Sequence, residues 1–261
     1  TQPWHKNWRS FLVAMDKFNE HLSAKGIVFA CSMYNIQHTV TPVNGKLQVK
    51  LECERPDVEI RYTMDGKEPT DRSLLYKSPL MVTGTQTIKC TTYRAGRQMG
   101  KILTLPLAWN KATAKPVLGN KQAGKILVNG IRGSLRQSDF EWHSWESSDS
   151  VAFTIDLQKK ELLRSVSVGC ITNYGMAAHK PADIEVWVSN NNRDYRKVSG
   201  KQFTDGEIFR EGTFKEDVVL DLNKEIGRYV RIIAKGVGEC PATHVRPGQE
   251  ARIYFDEVMI E

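Results

Sequence analysis

Two neighbouring stretches contain residue types that bind ions or small polar ligands. The first is residues 127–134, LVNGIRGS, and the second is residues 142–145, WHSW. Asn129-Gly130 is typical of a tight turn between strands. A hydroxyl follows at Ser134, and the aromatic-histidine-aromatic cluster lies beyond it. The first stretch is therefore either a plain turn or a loop folded around an ion beside a binding surface.

The acidic and nucleophilic residues do not form a recognisable catalytic set. Adjacent acids occur at Glu216-Asp217, which we expect in a polar loop, and at Asp256-Glu257. No βα repeat surrounds either pair, as a catalytic barrel would require. No serine or cysteine nucleophile is accompanied by an ordered histidine and acid. We expect no catalysis from these residues alone.

The five cysteines are widely spaced and include no CxxC pair, which argues against a zinc site. Cys53 and Cys90 each take an inward position of an alternating strand, so a disulfide between them is conceivable. Buried free thiols are the favoured interpretation, because free cysteine packs as a small hydrophobic residue.

The net charge of +7 comes from lysines and arginines scattered among acids, with no basic run of five residues. This pattern predicts a mildly basic, solvated surface and no nucleic-acid partner. No run of 18 apolar residues occurs, so the sequence predicts no transmembrane segment. The chain begins at Thr1 without a signal peptide, which we interpret as a piece of a longer precursor.

Residues 3–25 predict one amphipathic helix, ending at Gly26 as the C-cap. Its apolar stripe consists of Trp4, Trp8, Phe11, Leu12, Met15, Phe18 and Leu22. A stripe this wide is expected to dock on a neighbouring β-domain or on another chain. Residues 27–30 then lead outward as a short apolar run.

The rest of the chain has a period of two and predicts a mainly β fold. Residues 38–108 read as a small β-sandwich and residues 109–124 as a linker. Residues 125–261 read as a second β-sandwich of jelly-roll type, whose long loops are the expected functional part.

The last segment resembles a discoidin module, also called a coagulation factor five/eight type C domain. The resemblance rests on LVNGIRGS, WHSW and VAFTIDL, followed by PADIEVWVSNNNRDYRKV, RYVRI and YFDEVMI, over roughly residues 125–261. Bacterial relatives of this family are carbohydrate-binding modules.

The preceding segments resemble parts of bacterial family 20 β-N-acetylhexosaminidases, or chitobiases. EIRYTMDGKEPTDRSLLYKSPL and TIKCTTYRAGR, within 38–108, resemble the immunoglobulin-like domain at the C-terminal side of these enzymes. Residues 1–37, with KGIVFACSMYNI, resemble the last helix and exit strand of the catalytic barrel. The GVGECPATHVRPGQEARIYFDEVMIE tail is similar to that of the same multidomain enzymes.

The discoidin resemblance implies a structural cation, usually calcium, in the loop ILVNGIRGS. By this resemblance the ligands are the side chains of Asn129, Ser134 and Glu257, with the carbonyls of Ile126 and Ile131. Calcium takes six to eight such oxygen ligands. The alternative is an Asn-Gly turn held by hydrogen bonds alone.

The same resemblance implies a sugar-binding surface around WHSW, where His143 is the first candidate contact. Trp142 is expected in the core, whereas Trp145 fits either the core or a stacking platform. Further candidates come from two long loops: Asn173, Tyr174, His179, His244 and Arg246. Sugar-binding relatives often supply an arginine from the 172–179 loop, and this sequence has none there.

Together the resemblances imply a non-catalytic C-terminal region of a β-N-acetylhexosaminidase, which binds terminal galactose or N-acetylhexosamine and supports the barrel in cis. The catalytic Asp-Glu pair would lie N-terminal to Thr1. The alternatives are a structural or dimerisation scaffold without sugar binding, or a lipid-binding discoidin with Met176 and Phe209 as apolar loop residues. The resemblance places the protein outside the cytoplasm: secreted, periplasmic or associated with the outer membrane.

Overall fold

The architecture comes from a computed structural model that describes residues 7–27, 32–146 and 150–261. The described chain forms two compact units. The first unit consists of the described residues up to His38, Lys50–Pro79 and Thr87–Leu105. The second unit consists of Thr39–Val49, Leu80–Gln86 and Pro106–Glu261. None of the helices in the described ranges is long and apolar enough to cross a membrane.

A single long helix precedes the strands of the described chain. The elements up to residue 107 are α1 Trp8–Ala24, β1 Ile36–Val43, β2 Lys46–Cys53, β3 Glu59–Thr63, β4 Leu74–Leu75, β5 Leu80–Val82, β6 Gln86–Arg94, β7 Arg97–Gln98 and β8 Leu103–Leu107. One sheet has the order β1-β2-β5, and the other has the order β4-β3-β6-β7 with β8 also paired to β6.

The remaining elements build one antiparallel sheet around two very long strands. They are β9 Val117–Leu118, β10 His143–Glu146, β11 Ser150–Asn173, β12 Asp183–Ser189, β13 Arg196–Gln202, α2 Asp205–Ile208, β14 Thr213–Lys235 and β15 Arg252–Ile260. The strand order is β10-β15-β11-β14-β12-β13, with β9 paired to β11. The register of β11 against β14 shifts between Asp156 and Glu161, so each strand is divided into two straight halves.

Alternating apolar residues of these strands bury one continuous core. Val166 and Val168 of β11 pair with Leu220 and Val218 of β14, and all four are buried. Burying a side chain of this size contributes roughly 1.5–3 kcal/mol, so the core is the main source of stability in this unit. The prediction of a mainly β chain with one N-terminal amphipathic helix is confirmed.

The helix α1 ends as predicted but packs through a different face. Gly26 has a positive φ of 70°, and the Ile27 N–H donates to the Leu22 carbonyl (3.0 Å), as in a Schellman cap. Trp8, Phe11 and Phe18 of the apolar stripe are 59%, 49% and 55% exposed, so they do not dock on a β-domain within the described residues, and docking on another chain stays a prediction. Trp4 and residues 28–31 of the predicted exit strand lie outside the described residues.

The buried face of α1 is held by ion pairs and hydrogen bonds. Asp16 pairs with Arg55 and with Arg94 (3.1 Å) and accepts a hydrogen bond from the Tyr34 hydroxyl (2.6 Å). Arg55, which is 5% exposed, also donates to the Leu12 carbonyl (3.1 Å). The helix therefore turns its Leu12 and Asp16 side inward, because a buried arginine needs these acceptors.

The structure also tests the predicted linker, the Glu216-Asp217 loop and the cysteine pair. Residues 109–124, predicted as a linker, include β9 and the buried Ala112 and so form part of the second unit. Glu216-Asp217 lies in β14 rather than in a polar loop. Cys53 and Cys90 are free thiols, in agreement with the favoured interpretation.

Candidate functional site

The LVNGIRGS stretch is a buried turn tied down by side chains. Asn129 is 2% exposed, and its Oδ1 accepts a hydrogen bond from the Ile131 N–H (2.9 Å). Its Nδ2 donates to Glu141 Oε2 (2.7 Å). The Asn129 N–H donates to the Ile126 carbonyl (3.2 Å). The turn therefore buries an amide whose oxygen binds the main chain and whose nitrogen faces the Glu141 carboxylate.

Glu257 reaches the same turn from β15. Its side chain is fully buried, and Oε2 accepts the Gly130 N–H (3.0 Å). Within the described residues its Oε1 has no hydrogen bond of regular geometry, although the Asn110 side-chain amide interacts with the carboxyl. Burial raises the pKa of the Glu257 carboxyl well above its ordinary range. An unpaired buried carboxyl oxygen is costly, and a cation is one way to satisfy it.

The donor set around Glu257 fits the calcium ion that the resemblance implies. Asn129, Glu141 and Glu257 supply hard oxygen atoms, which calcium prefers. Glu141 was missed by sequence reasoning, although it directly precedes the WHSW cluster. Ser134 lies apart from this group: it is exposed, and its hydroxyl accepts the Arg136 N–H (3.1 Å). Calcium binding stays a prediction.

Asp256 fixes the second half of the turn. Its fully buried carboxylate accepts hydrogen bonds from Arg132 Nε (3.0 Å) and the Gly133 N–H (2.9 Å) through Oδ2. Its Oδ1 accepts the N–H of Glu257 (2.6 Å). Both acids therefore hold the main chain of the turn: Asp256 at Gly133 and Glu257 at Gly130.

Trp142 belongs to the core, as predicted. It is 6% exposed, and its Nε1 donates to the Ser134 carbonyl (3.0 Å). A Cβ on Gly133 would overlap the Trp142 ring, so any larger residue here displaces the indole.

We expect Gly133→Ala to lower the free energy of unfolding by about 1–3 kcal/mol, because the indole has no room to move without leaving its core position. Urea denaturation measures this change, and Gly206→Ala, where the added Cβ meets nothing within 4 Å, is the control. Equal stability of the two variants would contradict the tight packing.

His143 and Trp145 form the first group of predicted sugar contacts. Their rings meet edge to face at 4.4 Å, and Trp145 also stacks on Phe153 at 6.1 Å. Both side chains are half-buried. The Asn120 amide donates to His143 Nε2 (3.4 Å), and burial lowers the pKa of His143. The histidine is therefore neutral at pH 7 and presents part of one ring edge outward.

The other five predicted contacts come together at the end of β11. The Tyr174 ring rests on the His244 ring at 4.0 Å, and the His244 and His179 rings lie 5.1 Å apart. Arg246 donates to the sulfur of Met176 (3.5 Å). Asn173 closes the loop through main-chain hydrogen bonds with Ala178 (2.9 and 3.2 Å). We call Asn173, Tyr174, Met176 and Arg246 the rim.

His179 and His244 lie beneath the rim rather than on it. They are 1% and 4% exposed, which leaves no surface for a ligand, so we revise the prediction that they contact a sugar directly. Burial lowers the pKa of His179 to about 4 and also lowers that of His244. Cys240 lies in the same cluster, which the spacing of the cysteines did not reveal.

Two family models match the chain, in the order that the sequence predicts. Residues 41–104 match the chitobiase/beta-hexosaminidase C-terminal domain, and residues 111–245 match the F5/8 type C domain. Since the second match spans more than half of the chain, the chain belongs to the F5/8 type C domain family. The predicted order, an immunoglobulin-like domain of chitobiase type followed by a discoidin-type domain, is confirmed. No curated protein sequence matches the chain.

Several solved structures are similar at low identity. The C-terminal domain of a chitobiase from Bacteroides fragilis shares 11% identity, with 43% of this chain and 63% of that chain covered and a TM-score of 0.28. The CBM32-5 module from Clostridium perfringens, in complex with GalNAc-β-1,3-galactose, shares 16% identity over 55% and 86% (TM-score 0.35). A fucose binding module from Streptococcus pneumoniae shares 18% over 58% and 94% (TM-score 0.37). These likenesses are too low to assign a ligand.

Proposed function

We propose that the chain is a non-catalytic accessory region that binds glycans through the rim of its F5/8 type C domain. The observation that supports this proposal is that an aromatic ring, a guanidinium and an amide lie together at the end of β11. Tyr174 and Asn173 are half-buried, as is Arg246. An aromatic face stacks on the apolar face of a pyranose, while amide and guanidinium groups bond its hydroxyls.

Hydrogen bonds and ring contacts hold the rim residues in place before a ligand binds. His244 supports the Tyr174 ring, and the Tyr174 N–H donates to the Gly212 carbonyl (3.0 Å). The Arg246 N–H donates to His244 Nδ1 (3.0 Å), which fixes the turn that carries Arg246, and the Arg246 guanidinium reaches Met176 on the other loop. Groups held in place before binding lose less conformational entropy when a ligand arrives.

His143 is a second candidate contact, next to β15. It lies opposite Phe255, whereas Ala178 of the rim loop bridges to Arg252. These two positions of β15 are about 10 Å apart and face opposite sides of the sheet, so only a longer oligosaccharide that passes around the edge strand β10 would contact both groups. The ligands that we propose are glycans ending in galactose or N-acetylhexosamine, and the sugars named for the similar structures define the first panel to test.

The wider context belongs to the same proposal. The parent protein would be a β-N-acetylhexosaminidase whose barrel lies in cis and outside this chain, and the chain would serve it outside the cytoplasm. The acids Glu216 and Asp217 support the non-catalytic assignment, because Glu216 pairs with the buried Lys180 (2.6 Å) and Asp217 pairs with Arg132.

The rim is tested by three substitutions measured by calorimetry against the best ligand of a glycan panel. We expect Tyr174→Ala and Arg246→Ala each to weaken binding at least about tenfold, since each removes a central contact. His143→Ala is expected to weaken longer ligands more than monosaccharides.

Tyr195→Ala is the matched control, because this half-buried tyrosine stacks on Arg231 (3.7 Å) and lies outside the rim. Unchanged affinity in both rim variants would contradict the proposed surface. No binding by the unaltered chain would favour the structural scaffold instead.

Lipid binding is a second candidate, favoured by exposed apolar side chains on loops of this unit. Phe140 is 92% exposed, Leu135 57%, Val245 65% and Met176 49%. Phe209, the other predicted apolar loop residue, is half-buried against the His179 ring at 5.0 Å. Sedimentation with phosphatidylserine vesicles that is lost in Phe140→Ala would support this function over glycan binding.

A further inference from the structure

We propose that His179, Cys240 and His244 form a zinc site beneath the rim. The side-chain ligand atoms of these three residues lie within 4.8 Å of one another. Their exposed fractions are 1%, 3% and 4%. Two imidazole nitrogens and one sulfur are a ligand set that zinc binds, with a fourth position left for water. This proposal is independent of whether the rim binds a glycan.

The strongest support is the pair of unsatisfied nitrogen atoms. Nε2 of His179 and Nε2 of His244 are both buried and have no hydrogen-bond partner of regular geometry within the described residues, although the His244 ring also interacts with the Tyr174 main chain. Buried polar atoms nearly always have a partner, so two orphans in one cluster require an explanation. A metal ion between them and the Cys240 sulfur satisfies both at once.

The neighbouring backbone prepares His179 as a ligand. Its Nδ1–H donates to the Ile208 carbonyl (3.1 Å), which leaves the lone pair on Nε2 facing the cluster. This is the usual arrangement around a zinc-bound histidine, whose other nitrogen is held by a carbonyl or carboxylate.

Main-chain hydrogen bonds hold the loop that carries the other two ligands. The Cys240 N–H donates to the Gln249 carbonyl (2.8 Å), and the His244 N–H donates to the Pro241 carbonyl (2.9 Å). Ligands of a tetrahedral zinc lie about 3.3–3.8 Å apart, so side-chain movements of about 1 Å complete the site.

Zinc binding has a definite proton balance. The Cys240 thiol loses its proton to solvent when sulfur bonds to the metal. In the metal-free chain the Arg246 N–H donates to His244 Nδ1, so the His244 proton is on Nε2. Ligation through Nε2 moves that proton to Nδ1, where it would face the Arg246 N–H. This hydrogen bond is therefore lost and the Arg246 N–H must turn away from the ring, a cost that is small beside the free energy of zinc binding. One net proton is released per ion.

The test adds Co²⁺ and then Zn²⁺ to the metal-free 261-residue chain. We expect one Co²⁺ per chain with a thiolate-to-cobalt charge-transfer band, displacement of that band by Zn²⁺, and release of one proton. The band is expected to disappear in Cys240→Ser and to remain in Cys170→Ser, which removes an equally buried thiol from the same unit.

A missing thiolate band in the unaltered chain, or an unchanged band in Cys240→Ser, would overturn the proposal. If Cys240→Ser does not fold, His179→Gln makes the same comparison, with an expected loss of zinc affinity of at least about 100-fold. The calcium site gives no such band because it contains no sulfur. Glycan affinity, measured separately, distinguishes failure of this site from failure of the rim.

Discussion

Asp256→Ala is expected to lower the free energy of unfolding by about 3–5 kcal/mol, the typical cost of removing one partner of a buried ion pair. The substitution removes the acceptor of three donors: Arg132 Nε and the main-chain N–H groups of Gly133 and Glu257. The donors of Gly133 and Glu257 are buried and would find no water. Urea denaturation followed by tryptophan fluorescence measures the loss.

Asp217→Ala is the matched control for this prediction. Asp217 pairs with the same arginine, but its side chain is 40% exposed, so we expect a loss of at most about 1 kcal/mol. Equal losses in the two variants would show that the buried carboxylate contributes no more than a surface ion pair. The LVNGIRGS turn would then need another explanation for its fixed shape.

Calcium is expected to stabilise the unaltered chain and to leave Glu257→Gln unaffected. At a concentration about 100 times the dissociation constant, calcium adds about 2.7 kcal/mol to the free energy of unfolding. The glutamine variant lacks the negative charge that the ion requires. Thermal unfolding with calcium and with a chelator measures the difference.

The pH dependence of the metal-free chain provides a second readout of Glu257. Burial raises the pKa of this carboxyl in the folded state above its ordinary value of 4.5. The folded protein therefore binds more protons than the unfolded protein between these two values. In chelator, the contribution of Glu257 is fully present below pH 4.5 and is lost as the pH rises through the folded-state pKa.

Ser134→Ala separates the two possible ligand sets. Because the Ser134 hydroxyl accepts the Arg136 N–H and lies apart from Glu257, we expect calcium to stabilise this variant fully. Loss of the calcium effect in Ser134→Ala would restore the ligand set implied by the family resemblance. Calcium stabilisation of Glu257→Gln would contradict the site altogether.

Local patterns in the sequence predicted the elements whose structure depends on near neighbours. Strand patterns identified parts of β11 and β14, in VAFTIDL and RYVRI, but not residues 216–217 of β14, which were expected in a loop. Gly26 marked the end of α1 because a left-handed cap favours glycine. The Asn129-Gly130 turn was also predicted. Each of these features is set by residues a few positions apart, so the sequence alone contains the necessary information.

Features that depend on distant residues were not predicted. The buried face of α1 is chosen by Arg55 and Arg94, and no local pattern shows that Asp16 has such partners. Similarly, His179 and Cys240 are separated along the chain by β12, β13 and β14, and only the fold brings them together. Burial of His179 and His244 likewise became visible only once the loops were packed.

The most direct measurement of the central claim is binding of the 261-residue chain to an array of glycans ending in galactose, N-acetylhexosamine or other sugars. We predict binding to one terminal class that falls at least about tenfold in Tyr174→Ala and persists in Tyr195→Ala. Absence of binding to every glycan by a folded chain, in calcium and in chelator alike, would contradict a glycan-binding function and leave a structural role.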